Sequence, residues 1–136
     1  MRQIIDVFSS IATAFNAGDT TAAVGPMTLP MPIYIGSRLI LADQIRKVAD
    51  VLATYRSNLK EKSHERTEYR ILDQQIIGSG KLKVTVEWTN LAADGTVINV
   101  INGDYYCRRT QECWDIELVE FNEPQVPELL EGVTLH

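Results

Sequence analysis

Cysteine is scarce in this chain, with two in 136 residues, and two cannot build a disulfide framework. Proline and glycine, at 5 and 8 residues, are scattered without period, which excludes collagen-like and linker-type chains. Cations are in the minority: 13 Lys and Arg against 18 Asp and Glu give a net charge of −5. No basic block interleaves with aromatics, so the electrostatic footprint of a nucleic-acid binder is missing, and neither nucleic acid nor an anionic membrane is an expected partner. A long hydrophobic run is missing as well. The uncharged stretch from Thr20 to Ser37 is broken by Gly25, Pro26, Pro30, Pro32 and Gly36, so it cannot form a spanning helix of ~20 apolar residues. Arg2 followed by apolar residues resembles the start of a leader, but Asp6 interrupts it and no apolar core follows. Histidine is limited to His64 and His136, too few for a site with three imidazoles.

What is present is 45% apolar content, enough for one domain with a sizeable core. The expectation is an acidic, soluble, cytoplasmic protein with one domain over residues 1–122 and a tail over 123–136. Ile4, Phe8, Ile11, Ala12 and Phe15 recur at helical spacing, predicting a helix over 2–16 that stops at Asn16-Ala17-Gly18. Asp19 can cap a second short helix by accepting from its first-turn N–H groups. Segments 32–35 and 38–41 read as short strands around Gly36-Ser37, best placed at a sheet edge because proline cannot donate to a ladder. From Asp43, the spacing of Ile45, Val48, Ala49, Leu52 and Leu59 predicts a long helix ending in Lys60-Glu61-Lys62-Ser63. Four β-type runs follow at 67–77, 81–91, 97–109 and 113–121, separated by turn residues. Helices first and strands last argue for an α+β fold with an antiparallel meander.

On these residues the chain resembles the nuclear transport factor 2-like family, the cone-shaped α+β fold shared with ketosteroid isomerases and SnoaL-like polyketide cyclases. The matching pieces are Ala14-Phe15-Asn16-Ala17-Gly18-Asp19, Ala42-Asp43-Gln44-Ile45, Asp94-Gly95 and Cys113-Trp114-Asp115-Ile116. The resemblance spans about residues 2–121 and rests on order and spacing more than on motif. It implies a curved, mainly antiparallel sheet wrapped around the long helix, a pocket at the open end, and a homodimer through the sheet. It does not imply one reaction, because the fold carries isomerases, dehydratases, hydrolases, cyclases and non-catalytic subunits.

Asp104 is the first candidate for chemistry. By the resemblance it stands where ketosteroid isomerases carry a protonated aspartic acid that helps bind an oxyanion. The rest of that set is missing, since the base position falls near Pro32 and the tyrosine position near Ile11. A turn at Thr110-Gln111 would set Arg109 opposite Glu112 and Asp104 opposite Glu117. A turn at Asp94-Gly95 would set Thr85 opposite Asp104 and Glu87 opposite Asn102. One face then carries Thr85, Glu87, Asn102, Asp104, Tyr106 and Glu117. The other carries Val84, Val86, Trp88, Ile101, Tyr105, Trp114, Ile116 and Leu118. Two carboxylates across a non-polar cleft would drive one pKa up and form an acid/base pair. The same alternation also describes a half-exposed sheet whose polar face meets solvent, and a β-bulge would change the register.

Tyr34 and Arg38, by resemblance at the cavity mouth, are expected ligand contacts with Tyr55, Glu87, Asn102, Tyr106 and Phe121. An arginine there could pair with a substrate carboxylate. Glu61 and His64 would share one metal only if both lay on one helix face; a solvated helix end fits the low ligand density better, so no metal and no cofactor are expected. Cys107 and Cys113 read as free thiols without an activating neighbour. Three functions stay open. One is an isomerase-like or cyclase-like enzyme acting through Asp104, with Glu117 or Tyr106, on a small hydrophobic carbonyl compound. The others are a non-catalytic ligand-binding homodimer and a protein-interaction subunit.

Overall fold

A computed structural model describes residues 3–121; the expected tail and the first two residues lie outside the described residues. The chain runs α1 (Ile4–Asn16), α2 (Thr20–Ala23), β1 (Met31–Ile35), β2 (Arg38–Ala42), α3 (Ile45–Lys60), then β3 (His64–Gly78), β4 (Lys81–Ala92), β5 (Val97–Thr110) and β6 (Cys113–Phe121). The expected α+β architecture is present, and every expected element falls within a few residues of its place.

Local chemistry accounts for the boundaries. The Ala22 N–H donates to Asp19 Oδ1 at 3.1 Å, so Asp19 caps α2 as its side chain allows. The Gln3 N–H donates to Asp6 Oδ2 at 3.0 Å, placing a carboxylate at the positive end of α1. Gly36, at φ +61°, makes the tight β1–β2 turn that a residue with a Cβ would strain.

All six strands form one sheet in the order β2-β1-β6-β5-β4-β3. β3 to β6 are the expected meander, and β1 closes onto β6 in parallel, with Ile33 opposite Val119 and Ile35 opposite Phe121. β1 is therefore interior to the sheet and only β2 lies at that edge. Pro32 is accommodated because its pairing partner on β6 would come before Ile33, where the ladder starts.

Odd-numbered residues of β5 and even-numbered residues of β4 face the helices. Val84, Val86, Tyr105, Cys107, Ile116 and Val119 join Val7, Phe8, Ile11 and Val48 in the main core. Phe8 is fully buried and sits edge-on to Tyr105 at 5.1 Å between ring centroids. A second cluster, Phe15, Tyr55, Leu59 and Ile101, fills the end where the C-termini of α1 and α3 meet the sheet. At Gly103 an added Cβ would lie 3.1 Å from the Phe121 and Tyr105 rings, so those rings would have to shift by a few tenths of an ångström to accept it.

Candidate functional site

The last hairpin corrects the expected register. Thr110 pairs with Cys113, so the turn residues are Gln111 and Glu112, with Gln111 at φ +52°. A register shift between Tyr106 and Cys107 then adds one more residue on β6. Glu117 is the residue absorbed by that bulge, and Asp104 stands opposite Glu120 instead of Glu117. The expected Asp104–Glu117 pair does not form. Glu117 Oε1 instead lies 3.4 Å from Lys81 Nζ. In the preceding hairpin the expected pairs form, Thr85 opposite Asp104 and Glu87 opposite Asn102, but a register shift between Asn90 and Leu91 and the Ala92 N–H bond to the Thr96 carbonyl replace the expected two-residue turn with a loop of Ala93, Asp94 and Gly95.

The faces follow from the pairing. Glu87, Asn102, Asp104 and Tyr106 lie on the sheet face away from the helices, as do Thr85, Lys83 and Glu120. The expected apolar face packs on the helices except for Leu118, which the bulge turns to the outer face opposite Tyr106. On that outer face the Thr85 hydroxyl donates to Asp104 Oδ1 at 2.6 Å, and Lys83 Nζ lies 4.0 Å from Oδ2. The Tyr106 hydroxyl donates to Glu120 Oε1 at 2.6 Å. That bond to a carboxylate, with some desolvation, pushes the Tyr106 phenol up to about 12. Arg70 pairs with Glu87 at 3.1 Å.

Tyr34, half-buried, shares this face opposite Glu120, while Arg38 is exposed at the β2 edge. Phe121 lies on the inner face, edge-on to Tyr105 at 6.3 Å. Tyr55 is buried and accepts from Asn90 Nδ2 at 2.8 Å. The expected site residues thus divide between two sides of one sheet: Glu87, Asn102, Asp104, Tyr106, Glu117 and Tyr34 outside, Tyr55 and Phe121 inside.

On the outer face an open groove of about 510 Å³ is lined by Thr28, Leu29, Pro30, Ile77, Lys81, Tyr106, Glu117 and Leu118. The 28–30 segment is held there because the Thr28 N–H donates to the Ile116 carbonyl and the Ile116 N–H to the Pro26 carbonyl, both at 2.8 Å. Of the expected set the groove brings together Tyr106 and Glu117.

Sequence reasoning missed a buried polar network on the inner side. The Thr67 hydroxyl donates to Asn90 Oδ1 at 2.5 Å, and Asn90 Nδ2 donates to Asn99 Oδ1 at 2.6 Å as well as to Tyr55. Because Thr67 spends its proton on Asn90, its oxygen accepts from His64 Nε2 at 2.9 Å, which leaves Nδ1 as a lone-pair acceptor. His64 Nδ1 is buried and finds no donor among the described residues. Burial, then the charges of Lys60 and Arg56, lower the His64 pKa. The isolated polar residues within the β-type runs at Asn90 and Asn99 were the available signal. Glu61 caps α3 while His64 opens β3, so the two share no helix face, and no cluster of metal-ligating side chains occurs among the described residues. Cys107 and Cys113 are both free; burial pushes the Cys107 thiol up to about 12, away from a reactive thiolate.

No family model matches this chain, and no curated protein does. Solved structures do match its shape. A cystatin-like domain of unknown function from Nostoc punctiforme superposes with a TM-score of 0.69 at 13% identity, over 93% of this chain and 80% of that one. An NTF-2-like protein of unknown function from Shewanella oneidensis superposes with a TM-score of 0.65 at 13% identity, over 87% of this chain and 94% of that one. The chain has the nuclear transport factor 2-like fold. Aln2 from a Streptomyces species shares the nuclear transport factor 2-like shape at a TM-score of 0.68 and 5% identity, over 91% of this chain and 90% of that one. Such identities carry the architecture and leave the activity to the site.

Proposed function

We propose that this protein binds a small, largely apolar molecule in the outer-face groove, with Tyr106, Lys81 and Glu117 as polar contacts and Leu29, Pro30, Ile77 and Leu118 as walls. The observation that carries the reading is the groove itself. Its volume of about 510 Å³ and its few polar groups among apolar walls match small-molecule sites, which run from about 300 to 1,000 Å³. Binding is favoured over turnover by the charge arrangement. Asp104 is engaged by Thr85, Glu117 by Lys81 and Glu120 by Tyr106, and of these carboxylates Glu117 alone lines the groove, whereas a general acid or base must lie within hydrogen-bond reach of the bound molecule. Amide-shift mapping by NMR with small aromatic and carbonyl-bearing fragments tests the proposal. Binding shifts should cluster at Leu29, Tyr106 and Leu118, and Leu118→Lys should weaken them at least about tenfold. Shifts that map under the helices instead would overturn it.

A second reading, the homodimer through the sheet, is supported by one observation: among the described residues no helix lies on the outer face of the sheet. Sedimentation of wild type and Leu118→Lys separates the two readings, because a face-to-face dimer would dissociate in the variant whether or not fragments bind.

A further inference from the structure

The two edges of the sheet are built differently. β3 is interrupted by three register shifts between His64 and Gly78, and bulges of this kind keep an edge from accepting another strand. β2 pairs with β1 from Arg38 to Ala42 without a shift, and from Leu39 onward it holds no charge, proline or glycine. Its main-chain directions can be read from its neighbour. The Gly36 N–H donates to the Phe121 carbonyl at 2.9 Å, so even-numbered positions of β1 turn their main-chain groups toward β6, and Met31, Ile33 and Ile35 turn theirs toward β2. Their partners Ala42, Ile40 and Arg38 face back. Leu39 and Leu41 therefore point their N–H and C=O groups off the edge of the sheet, and no described residue bonds to them. Their side chains, 56% and 61% exposed, share the helix-free face.

We propose that β2 pairs antiparallel with β2 of a second copy, about a two-fold axis through Ile40. In that register Leu39 lies opposite Leu41 of the second copy and exchanges both main-chain bonds with it, and the reciprocal pair does the same. Each exposed leucine gains a leucine as its cross-strand neighbour, the kind of pair that stabilises a sheet. Charge selects the direction. Antiparallel pairing brings the Arg38 end of each strand to the Asp43 end of the other, whereas parallel pairing would stack like charges. Asp43 is half-exposed and shares its charge with Lys47 at 3.2 Å. The arrangement is closed by its two-fold symmetry, and it leaves only the bulged β3 strands as outer edges.

This inference concerns the edge, so it is separable from a dimer through the sheet face. Sedimentation velocity on the full chain should show a concentration-dependent dimer, and Leu41→Pro should raise its dissociation constant at least about tenfold. The Leu41 N–H makes no bond to β1, so proline there removes bonds across the new edge and spares the β1–β2 hairpin. Circular dichroism checks the fold; if the proline variant unfolds, Leu39→Lys, which keeps the backbone, should weaken the dimer likewise. Leu118→Lys should leave the dimer intact. A wild type that stays monomeric at high micromolar concentration would overturn the proposal, as would a dimer lost to Leu118→Lys and indifferent to both edge variants.

Discussion

Tyr106 donates its hydroxyl to Glu120 at 2.6 Å, and a phenol that must give up that bond to ionise does so late, at about 12. Glu120→Gln should therefore bring the Tyr106 ionisation back toward the ordinary tyrosine value of about 10, read as tyrosinate absorbance during an alkaline titration. An unchanged titration would mean that desolvation, the second cause, outweighs the carboxylate. At this scale the identity of the outer-face groups was legible: period-two alternation put Thr85, Glu87, Asn102, Asp104 and Tyr106 together, and the structure keeps them so. The partner of Asp104 was not. Facing residues depend on the count of every residue between turn and pair, and the turn at Gln111-Glu112 together with the bulge at Glu117 moves the partner to Glu120.

At the scale of elements, the Asn16 side chain hydrogen-bonds the end of α1 to β3. Asn16 Oδ1 accepts from the Thr67 N–H at 2.7 Å and its Nδ2 donates to the Thr67 carbonyl at 2.9 Å. Arg56 adds α3 to the joint by donating to the Phe15 carbonyl at 2.9 Å and the Asn16 carbonyl at 3.2 Å. Asn16→Ala leaves the Thr67 main chain without its partners and should cost about 1–3 kcal/mol, the penalty of an unmet buried group, measured by urea denaturation. Asn16→Asp keeps the acceptor and should lose less. A loss as small as that of an exposed substitution would show that solvent replaces the joint. In the sequence Asn16 reads as part of a helix stop signal, which it is. Its second role needs a residue 51 positions away, and no local pattern carries that.

At the scale of the whole molecule, His64 makes folding stability depend on pH below neutrality. Buried beside Lys60 and Arg56, the imidazole is held neutral, with its pKa below the ordinary 6.5. The sign follows from linkage. Above 6.5 both the folded and the unfolded chain hold His64 neutral and stability is complete. As pH falls below that value the unfolded chain takes a proton that the folded one refuses, and stability is lost down to the folded pKa. Urea midpoints at neutral pH and at about pH 5 should show this loss in wild type and a smaller one in His64→Gln; equal slopes would place His64 in a solvated setting. By itself the sequence determined the element order, the α+β class and which residues alternate on each strand, because these follow from local periods, turn residues and caps. Tertiary structure alone decided that the polar sheet face is the one away from the helices, that Glu120 and not Glu117 faces Asp104, and that Asn90, Thr67, His64 and Tyr55 meet inside. Those depend on which side of the sheet the helices cover, on the exact place of the last turn and on one inserted residue in a long ladder, none of which the local alternation of residues fixes.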